Sequence, residues 1–433
     1  MYNMSYLQYN PYSLSRQGLK AYGPYPYVYP FANPCPNLCA EANTIVDPNA
    51  NYFAYDFSKI YDIENGLCHN PTHDMTNNLS VACRDPCIEK YDYACYEETK
   101  FQDPCTCLQF FSQNLVSNFA GLALNFDPNL LNAWGIAIIN DTIWVANTSS
   151  GLITSYDIAG APLAQLVNVF GPAENIGSPT GIVYNGCNNG FRVVKSVFSG
   201  PSTLLIATLD GTINGYNPAV CTNNSFIVVN NSTENCVYTG LTLLNDKLYV
   251  ADFFNAKIDV FDHNFNRLNG FSFIDQYSTD PIPGDYAPYN IAKIGEFLFV
   301  AYAKQNPLDN QFTVPGIGHG YISIFNFKGI FVKRFVSRGM LNSPWGMVLV
   351  PTWFGYPAGS IFVANTGNGT IGIYDATGCC LGKLKNENLH DIFIEGVKGL
   401  VNSPNYSKIV YWTGNNITLV NSFVGSIGFN VCC

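Results

Sequence analysis

Three residues of one segment could share acid–base chemistry. Between Ala303 and Gly320 the chain carries Lys304, Asp309 and His319, the last inside the run Pro315-Gly-Ile-Gly-His-Gly320. A lysine, a carboxylate and an imidazole brought to one point can donate and accept protons near neutral pH. A glycine-rich stretch of this kind is more often simply a mobile loop. It is not a phosphate cradle, since no Gly-Lys-Ser/Thr follows it. The other four of the five histidines are scattered. His263 and His390 fall in polar loops and are expected in solvent. His69 and His73, beside Cys68, read better as part of a disulfide-rich loop than as metal ligands. A nucleophile elbow of the G-x-S-x-G type is absent from the sequence.

Fifteen cysteines offer redox chemistry instead. Eight lie early, at Cys35, Cys39, Cys68, Cys83, Cys87, Cys95, Cys105 and Cys107; the others are Cys187, Cys221, Cys236, Cys379, Cys380, Cys432 and Cys433. None forms a C-x-x-C pair, which argues against a zinc ribbon or a thioredoxin-like site. Dense cysteines in a loop-rich region mean disulfides and an oxidising destination, and the odd total leaves at least one thiol outside any intrachain bridge. The N-terminal thirty residues have no apolar core of a signal peptide. Disulfides without that signal fit an unusual export route, a reduced cytosolic protein, or a large DNA-virus particle oxidised by its own thiol oxidase.

Composition narrows the rest. Hydrophobic residues make up 47% and charged residues only 12%, with a formal net charge of −10 from 21 basic and 31 acidic side chains. So apolar a chain has ample core and is not disordered. No basic run could follow a phosphate backbone, which excludes nucleic acid as the expected partner. No apolar stretch reaches the roughly 18 residues a spanning helix needs.

The elements that must position these residues are short strands in repeated hairpins. Val145-Ala-Asn-Thr-Ser-Ser-Gly-Leu-Ile-Thr-Ser-Tyr-Asp157 matches Val363-Ala-Asn-Thr-Gly-Asn-Gly-Thr-Ile-Gly-Ile-Tyr-Asp375 position for position. Val250–Asp262 keeps the spacing, Ile206–Asn217 is one residue shorter, and Val300–Asn326 is split by the Ala303–Gly320 insertion. Asp210-Gly211 and Asn368-Gly369 are expected to form two-residue hairpin turns. Ahead of each hairpin lies an anchor, at Gly135, Gly181, Gly240, Asn290, Gly346 and Gly399, about fifty residues apart, as in propeller blades. Six anchors predict an all-β, six-bladed β-propeller over residues 108–433, with the small anchor residue admitting close approach around the axis. Residues 113–118 are expected to complete the last blade beside Lys408–Trp412 and Ile417–Phe423, which would leave no open edge.

The unit of an anchor followed by V-A-D/N-x-x-N/G-x-I-x-x-aromatic-D resembles the NHL repeat and its regucalcin and gluconolactonase relatives. Residues 113–430 resemble more closely a family of uncharacterised exported bacterial propellers with PEP-type sorting tails. The shared segments include Asn114-Leu-Val-Ser117, Asp127-Pro-Asn-Leu130, Leu209-Asp-Gly-Thr-Ile213, Tyr286-Ala-Pro-Tyr-Asn290, Ala301-Tyr-Ala-Lys-Gln305, Asn342-Ser-Pro-Trp-Gly346 and Phe423-Val-Gly-Ser-Ile427. The resemblance implies a fold and no settled activity.

A regucalcin-like lactonase would hold a divalent ion on the axis with carboxylates and Asn. At or just before the anchors stand Asn132, Thr180, Thr239, Asn290, Asn342 and Lys398. That ring lacks a carboxylate, so calcium is the one cofactor left open there, weakly held, unless Asp252 turns inward. The expected state is a polar, water-filled channel mouth without a catalytic metal. Trp134 and Trp345, at equivalent positions of two blades, are expected in the core, the alternative being exposed stacking platforms. Sequons at Asn147, Asn223, Asn231, Asn368, Asn405 and Asn416 are what an Asn-rich chain produces by chance.

Ahead of the propeller, residues 1–32 form a Tyr/Pro-rich arm and residues 33–107 a cysteine-rich module expected to be stapled by disulfides. Tyr-rich surface is an interface composition. Protein partners or self-association through residues 1–107 are therefore expected. The expected role is a structural or binding module and not an enzyme, on a large DNA-virus particle. A regucalcin-type hydrolase and an exported cell-surface binding propeller are the alternatives.

Overall fold

The computed structural model describes residues 107–186, 190–404, 408–416 and 420–432. The arm, the cysteine-rich module up to residue 106, and Cys187 and Cys433 lie outside the described residues.

Six antiparallel sheets follow one another along the chain. Strands β1 (Cys107–Ser117) and β2 (Asn125–Phe126) precede blade 1, which holds β3 (Ala133–Ile139), β4 (Thr142–Asn147), β5 (Leu152–Asp157) and β6 (Val167–Asn168). Blade 2 begins with β7 (Pro179–Tyr184), detours through the hairpin β8 (Arg192–Lys195) and β9 (Phe198–Pro201), and resumes with β10 (Leu204–Thr208), β11 (Thr212–Tyr216) and β12 (Phe226–Asn230). Blade 3 has three strands, β13 (Tyr238–Leu244), β14 (Lys247–Asp252) and β15 (Lys257–Phe261). Blade 4 comprises β16 (Tyr286–Ile294), β17 (Phe297–Lys304), β18 (Gly320–Phe325) and β19 (Phe331–Ser337). In blade 5 are β20 (Pro344–Leu349), β21 (Ile361–Asn365), β22 (Thr370–Tyr374) and β23 (Cys380–Lys383). Blade 6 holds β24 (Leu400–Asn402), β25 (Val410–Asn416) and β26 (Asn421–Cys432).

Blade 6 is completed by β1, which runs antiparallel to β26 from Cys107↔Cys432 to Ser117↔Phe423. The expected closing strand is therefore present and longer than 113–118, and β2 adds a short parallel rung outside it. The first described strand pairs with the last, so the ring is closed by backbone hydrogen bonds and the blade edges there are spent.

Turn chemistry departs from the expectation in one respect. Two-residue turns occur between first and second strands, at Asn140-Asp141 and Asn245-Asp246, all four residues with positive φ. Asn and Asp tolerate that region and suit such turns. Asp210-Gly211 instead belongs to a three-residue loop, and Asn368-Gly369 to a four-residue one. In both, the residue before the loop closes it: Thr208 Oγ1 accepts from Thr212 N at 3.1 Å, and Asn365 O accepts from Gly369 N at 2.9 Å.

Blades pack face to face, so most strand residues are buried on both sides and the alternation of a one-sided sheet is lost. Between blades 4 and 5, Phe299, Ile322, Ile324 and Phe335 meet Met347, Ile361, Val363 and Tyr374. Each such large side chain contributes roughly 1.5–3 kcal/mol by burial.

Blade 3 has no regular outer strand. The chain after β15 makes one bridge, Phe261↔Arg267, and one further bond, Leu268 N to Val260 O at 2.8 Å, before leaving the blade. A groove of about 290 Å³ opens there, lined by Lys257, Asp259 and Arg267 among others. The departing segment is pinned to blade 4 by Arg334, which is buried, pairs with Asp275 at 2.8 Å, donates to Ser337 Oγ at 2.8 Å and lies over the Tyr321 ring.

Two substitutions test this reading. Arg334→Ala strands a buried carboxylate and should cost about 3–5 kcal/mol in urea unfolding. Gly135→Ala would place a Cβ 2.6 Å from Thr180 O and 2.8 Å from Ile182 N, both backbone atoms of the next blade; it should cost about 1–3 kcal/mol. Gly284→Ala, where nothing lies within 4 Å of the new Cβ, should stay within about 0.5 kcal/mol.

Candidate functional site

The anchors build the axis. Each anchor glycine faces the next inner strand: Gly135 meets the backbone of blade 2, Gly181 the Cα of Gly240, Gly346 the Lys398 carbonyl and Gly399 the Trp134 carbonyl, while Gly240 meets the Asn290 side chain. Any Cβ would force these strands apart. At the sixth position Asn290 replaces glycine and closes the gap by a bond, its Nδ2 donating to Trp345 O at 2.8 Å.

The residue before each anchor is then directed to one level around the ring. These six are Trp134, Thr180, Thr239, Tyr289, Trp345 and Lys398. Rings from opposite blades meet there. Trp134 of blade 1 lies 6.1 Å from Tyr289 of blade 4 and 6.1 Å from Trp345 of blade 5, both edge to face. Phe253 of blade 3 adds a ring 5.0 Å from Tyr289, and Leu209 of blade 2 packs against the same cluster. Trp345 Nε1 reaches across to Thr239 O at 3.0 Å. The axis end expected to be a polar, water-filled mouth is an aromatic plug. The two tryptophans are core, as expected, with 8% and 5% exposure.

Lys398 completes the plug from blade 6. Its Nζ stands 4.4 Å over the Trp134 ring, and no carboxylate among the described residues reaches it. Burial alone drives its ammonium down from the ordinary lysine value to about 7. The ring face opposes this by about 0.5–2 kcal/mol, less than the desolvation of a fully buried ammonium.

The insertion of blade 4 roofs the plug. Gln305 Nε2 donates to the Phe253 carbonyl, and Thr313 hydrogen-bonds the Tyr289 phenol. Lys304, Asp309 and His319 do not converge. Lys304 pairs with Asp285 at 3.3 Å, Asp309 Oδ1 accepts from Gln311 N at 3.1 Å, and His319 Nδ1 lies 2.9 Å from Val314 O. Each is spent on holding the loop, so the acid–base triad is not assembled.

The asparagines expected at the mouth are likewise committed. Asn132 Oδ1 accepts from Trp134 Nε1 at 3.1 Å, and Asn342 Oδ1 from Gly316 N at 2.8 Å. Thr180 Oγ1 bridges to Tyr238 O at 2.7 Å between blades 2 and 3. Thr239 Oγ1 is left buried without a partner, but one hydroxyl in a ring without carboxylates does not fit an axial calcium ion.

Asp252 faces away from the axis. With Cys236 and Asp259 it forms a buried cluster whose ligand atoms lie within 4.8 Å of one another. A cation already serves it: Lys257 Nζ is 2.9 Å from Asp259 and 3.7 Å from Asp252. Tyr238 OH and Arg267 also bond Asp259, at 2.8 and 3.4 Å. Burial and then the Asp252 charge push the Cys236 thiol up to about 12, which disfavours the thiolate a metal would require. Among the described residues, Cys221 and Cys236 carry no bond to another cysteine. His263 and His390 are exposed, as expected.

Closed ring and plugged axis define a six-bladed β-propeller. No protein-family model matches the chain. It is 30% identical to uncharacterized protein R640 of Acanthamoeba polyphaga mimivirus, across 97% of this chain and 98% of that one. Uncharacterized proteins R648 and L690 of the same virus are each 41% identical across 72% of this chain, covering 78% and 84% of their own lengths. The chain belongs to this mimivirus family. Among solved structures it is similar to a streptogramin B lyase, with 12% identity, a TM-score of 0.43, and coverage of 74% of this chain and 98% of that one. A regucalcin of Agrobacterium tumefaciens gives 12%, 0.45, 70% and 91%.

The buried amine makes stability depend on pH. Between about pH 7 and pH 10 the unfolded chain holds a proton that folded Lys398 has released, so stability rises with pH across that window. Lys398→Met should remove this slope and, at pH 7, stabilise the protein by roughly 1–3 kcal/mol. Thermal melts of both proteins from pH 6 to 10 decide it; parallel curves would locate the slope elsewhere.

Proposed function

We propose that the protein is a non-enzymatic structural or binding component of a giant-virus particle, with the propeller as a rigid platform and residues 1–107 mediating assembly. The carrying observation is the plugged axis. Where a metal-dependent hydrolase of regucalcin type would present carboxylates, this chain presents Trp134, Tyr289 and Trp345. Kinship with mimivirus proteins supports the viral setting. A cytoplasmically assembled particle with its own thiol oxidase would also account for the cysteine-rich module. A cell surface is the rival location, as the sequence resemblance of residues 113–430 to exported bacterial propellers would imply.

Two measurements test the reading. Deleting residues 1–32 should abolish recovery of the protein with purified particles while the propeller still melts cooperatively; undiminished recovery would make the arm dispensable and remove the assembly role. Metal analysis of the full chain should give substoichiometric calcium and zinc. A stoichiometric ion, with lactone turnover lost to a chelator, would establish the hydrolase instead.

A further inference from the structure

Among the described residues, blade 2 alone carries an extra hairpin between its first two blade strands, made of β8 and β9. The hairpin adds little core: Val194, Val197 and Phe198 are 63%, 90% and 58% exposed. Strand alternation fixes its one inward face. Val193 is buried against Gly215 of β11, where only a missing Cβ leaves room for it. Two residues on, Lys195 leaves the same face. It arrives over the loop between β11 and β12, and its Nζ donates to Cys221 Sγ at 3.3 Å. That loop is tied in turn to the second strand of the hairpin, Asn217 Nδ2 donating to Pro201 O at 2.6 Å. Amine and sulfur are therefore brought together by strand register and a hydrogen bond, and not by the reach of a long side chain alone.

The sulfur is the partner of that amine. No carboxylate among the described residues pairs with Lys195. Burial resists a charge on Cys221, but the Lys195 ammonium and the backbone N–H groups of Asn223 and Asn224 outweigh it, and the thiol is held below its ordinary value. The neighbouring Tyr216 hydroxyl is spent on Thr222 O at 2.8 Å. Cys221 is partly exposed, and Ala219, Thr222 and Asn223 around it are exposed, so a small oxidant has a path to it. A thiolate in an open, electropositive setting is the reactive form of cysteine. The buried Cys236 thiol, pushed the other way by burial and Asp252, has no such setting.

We propose that Lys195 and Cys221 are a peroxide-responsive pair, which closes to a sulfenamide and staples the extra hairpin to blade 2. The thiolate attacks one oxygen of hydrogen peroxide, the S–O bond forms and the O–O bond breaks. The hydroxide released takes a proton from the Lys195 ammonium and becomes water, leaving a sulfenic acid beside a neutral amine. The nitrogen lone pair then attacks sulfur, the N–S bond forms and the S–O bond breaks. The hydroxyl departs with one nitrogen proton as a second water. Thiol and amine have lost two electrons to the peroxide, and no metal takes part. At 3.3 Å the nitrogen already stands within the roughly 3–3.5 Å from which such an attack proceeds. Sulfenic acids condense in this way with a nearby thiol or nitrogen, and the group in contact with this sulfur is a nitrogen.

The proposal stands apart from the particle assignment and is tested on the full chain. Hydrogen peroxide is followed by N-ethylmaleimide to block remaining thiols, then by chymotrypsin, which cuts between the two residues, and peptide mass spectrometry. The peptides holding Lys195 and Cys221 should appear joined, about 2 Da lighter than their sum, and dithiothreitol should separate them. Lys195→Arg keeps a cation beside the sulfur but supplies no nucleophilic nitrogen. In that variant the joined peptide should vanish, while dimedone, which traps sulfenic acid, should label Cys221 roughly fivefold more than in the parent chain. Either of two results overturns the proposal: Cys221 recovered as its maleimide adduct after a peroxide exposure that oxidises glutathione, or Cys221 oxidised in the parent chain with Lys195 still free.

Discussion

The close approach of six inner strands around one axis is the constraint on which the rest of this molecule depends. A backbone can lie against its neighbour at that distance only where no Cβ intervenes, and five of the six anchors are glycine. Everything radial follows from it. Once the inner strands are fixed, the hairpins outside them have one direction in which to extend, and their apolar faces meet only the adjoining blade. The last blade is then left short of a strand, which β1 supplies from the far end of the described chain.

Asn290 is the exception that gives the ring its asymmetry. A side chain in place of hydrogen would hold blades 4 and 5 apart, unless it also joins them, and its bond to the Trp345 carbonyl does so. Position and chemistry are coupled here. The carbonyl it fixes belongs to the very residue whose indole crosses the axis to Thr239. Blades 1, 4 and 5 supply bulky rings, whereas blades 2 and 3 supply threonines at the same level. The plug is therefore built mostly from one side, and Lys398 enters beside Trp134 where the next inner strand begins.

Much of this was legible from spacing. Anchors at a constant interval with a hairpin after each are enough to count blades, because a blade cannot bury its faces alone and must recur. The closing strand was legible as well, from the shortfall at the last blade. Less legible was the composition of the axis. Asn132, Asn290 and Asn342 drew attention as oxygen donors, yet a fixed offset of one residue before each anchor selects Trp134, Tyr289 and Trp345 instead. Tyr289 was visible in the anchor motif itself, and only that offset distinguishes it. Phe253 carried no such signal, since it reaches the axis from the loop after β14 and no period marks it. Turn types failed for a related reason: Gly211 and Gly369 need positive φ, but loop length is set by side chains before the turn, Thr208 among them.

Set against one another, the molecule's buried cations separate structural charges from an anomalous one. Arg334 is costly to desolvate, but two ring faces, a carboxylate at 2.8 Å and a serine return that cost, and the irregular crossing from blade 3 to blade 4 is held in exchange. Lys257 performs a similar service between Asp252 and Asp259. In each case removing the cation would leave an anion stranded. Lys398 differs, for no anion depends on it, and deleting its charge would leave nothing unpaired. A group that opposes local stability without satisfying a partner breaks the consistency between sequence and fold, and such breaks are expected where a chain does something besides fold. The one cation of the plug among the described residues thus lies where six blades converge, beneath the insertion of blade 4.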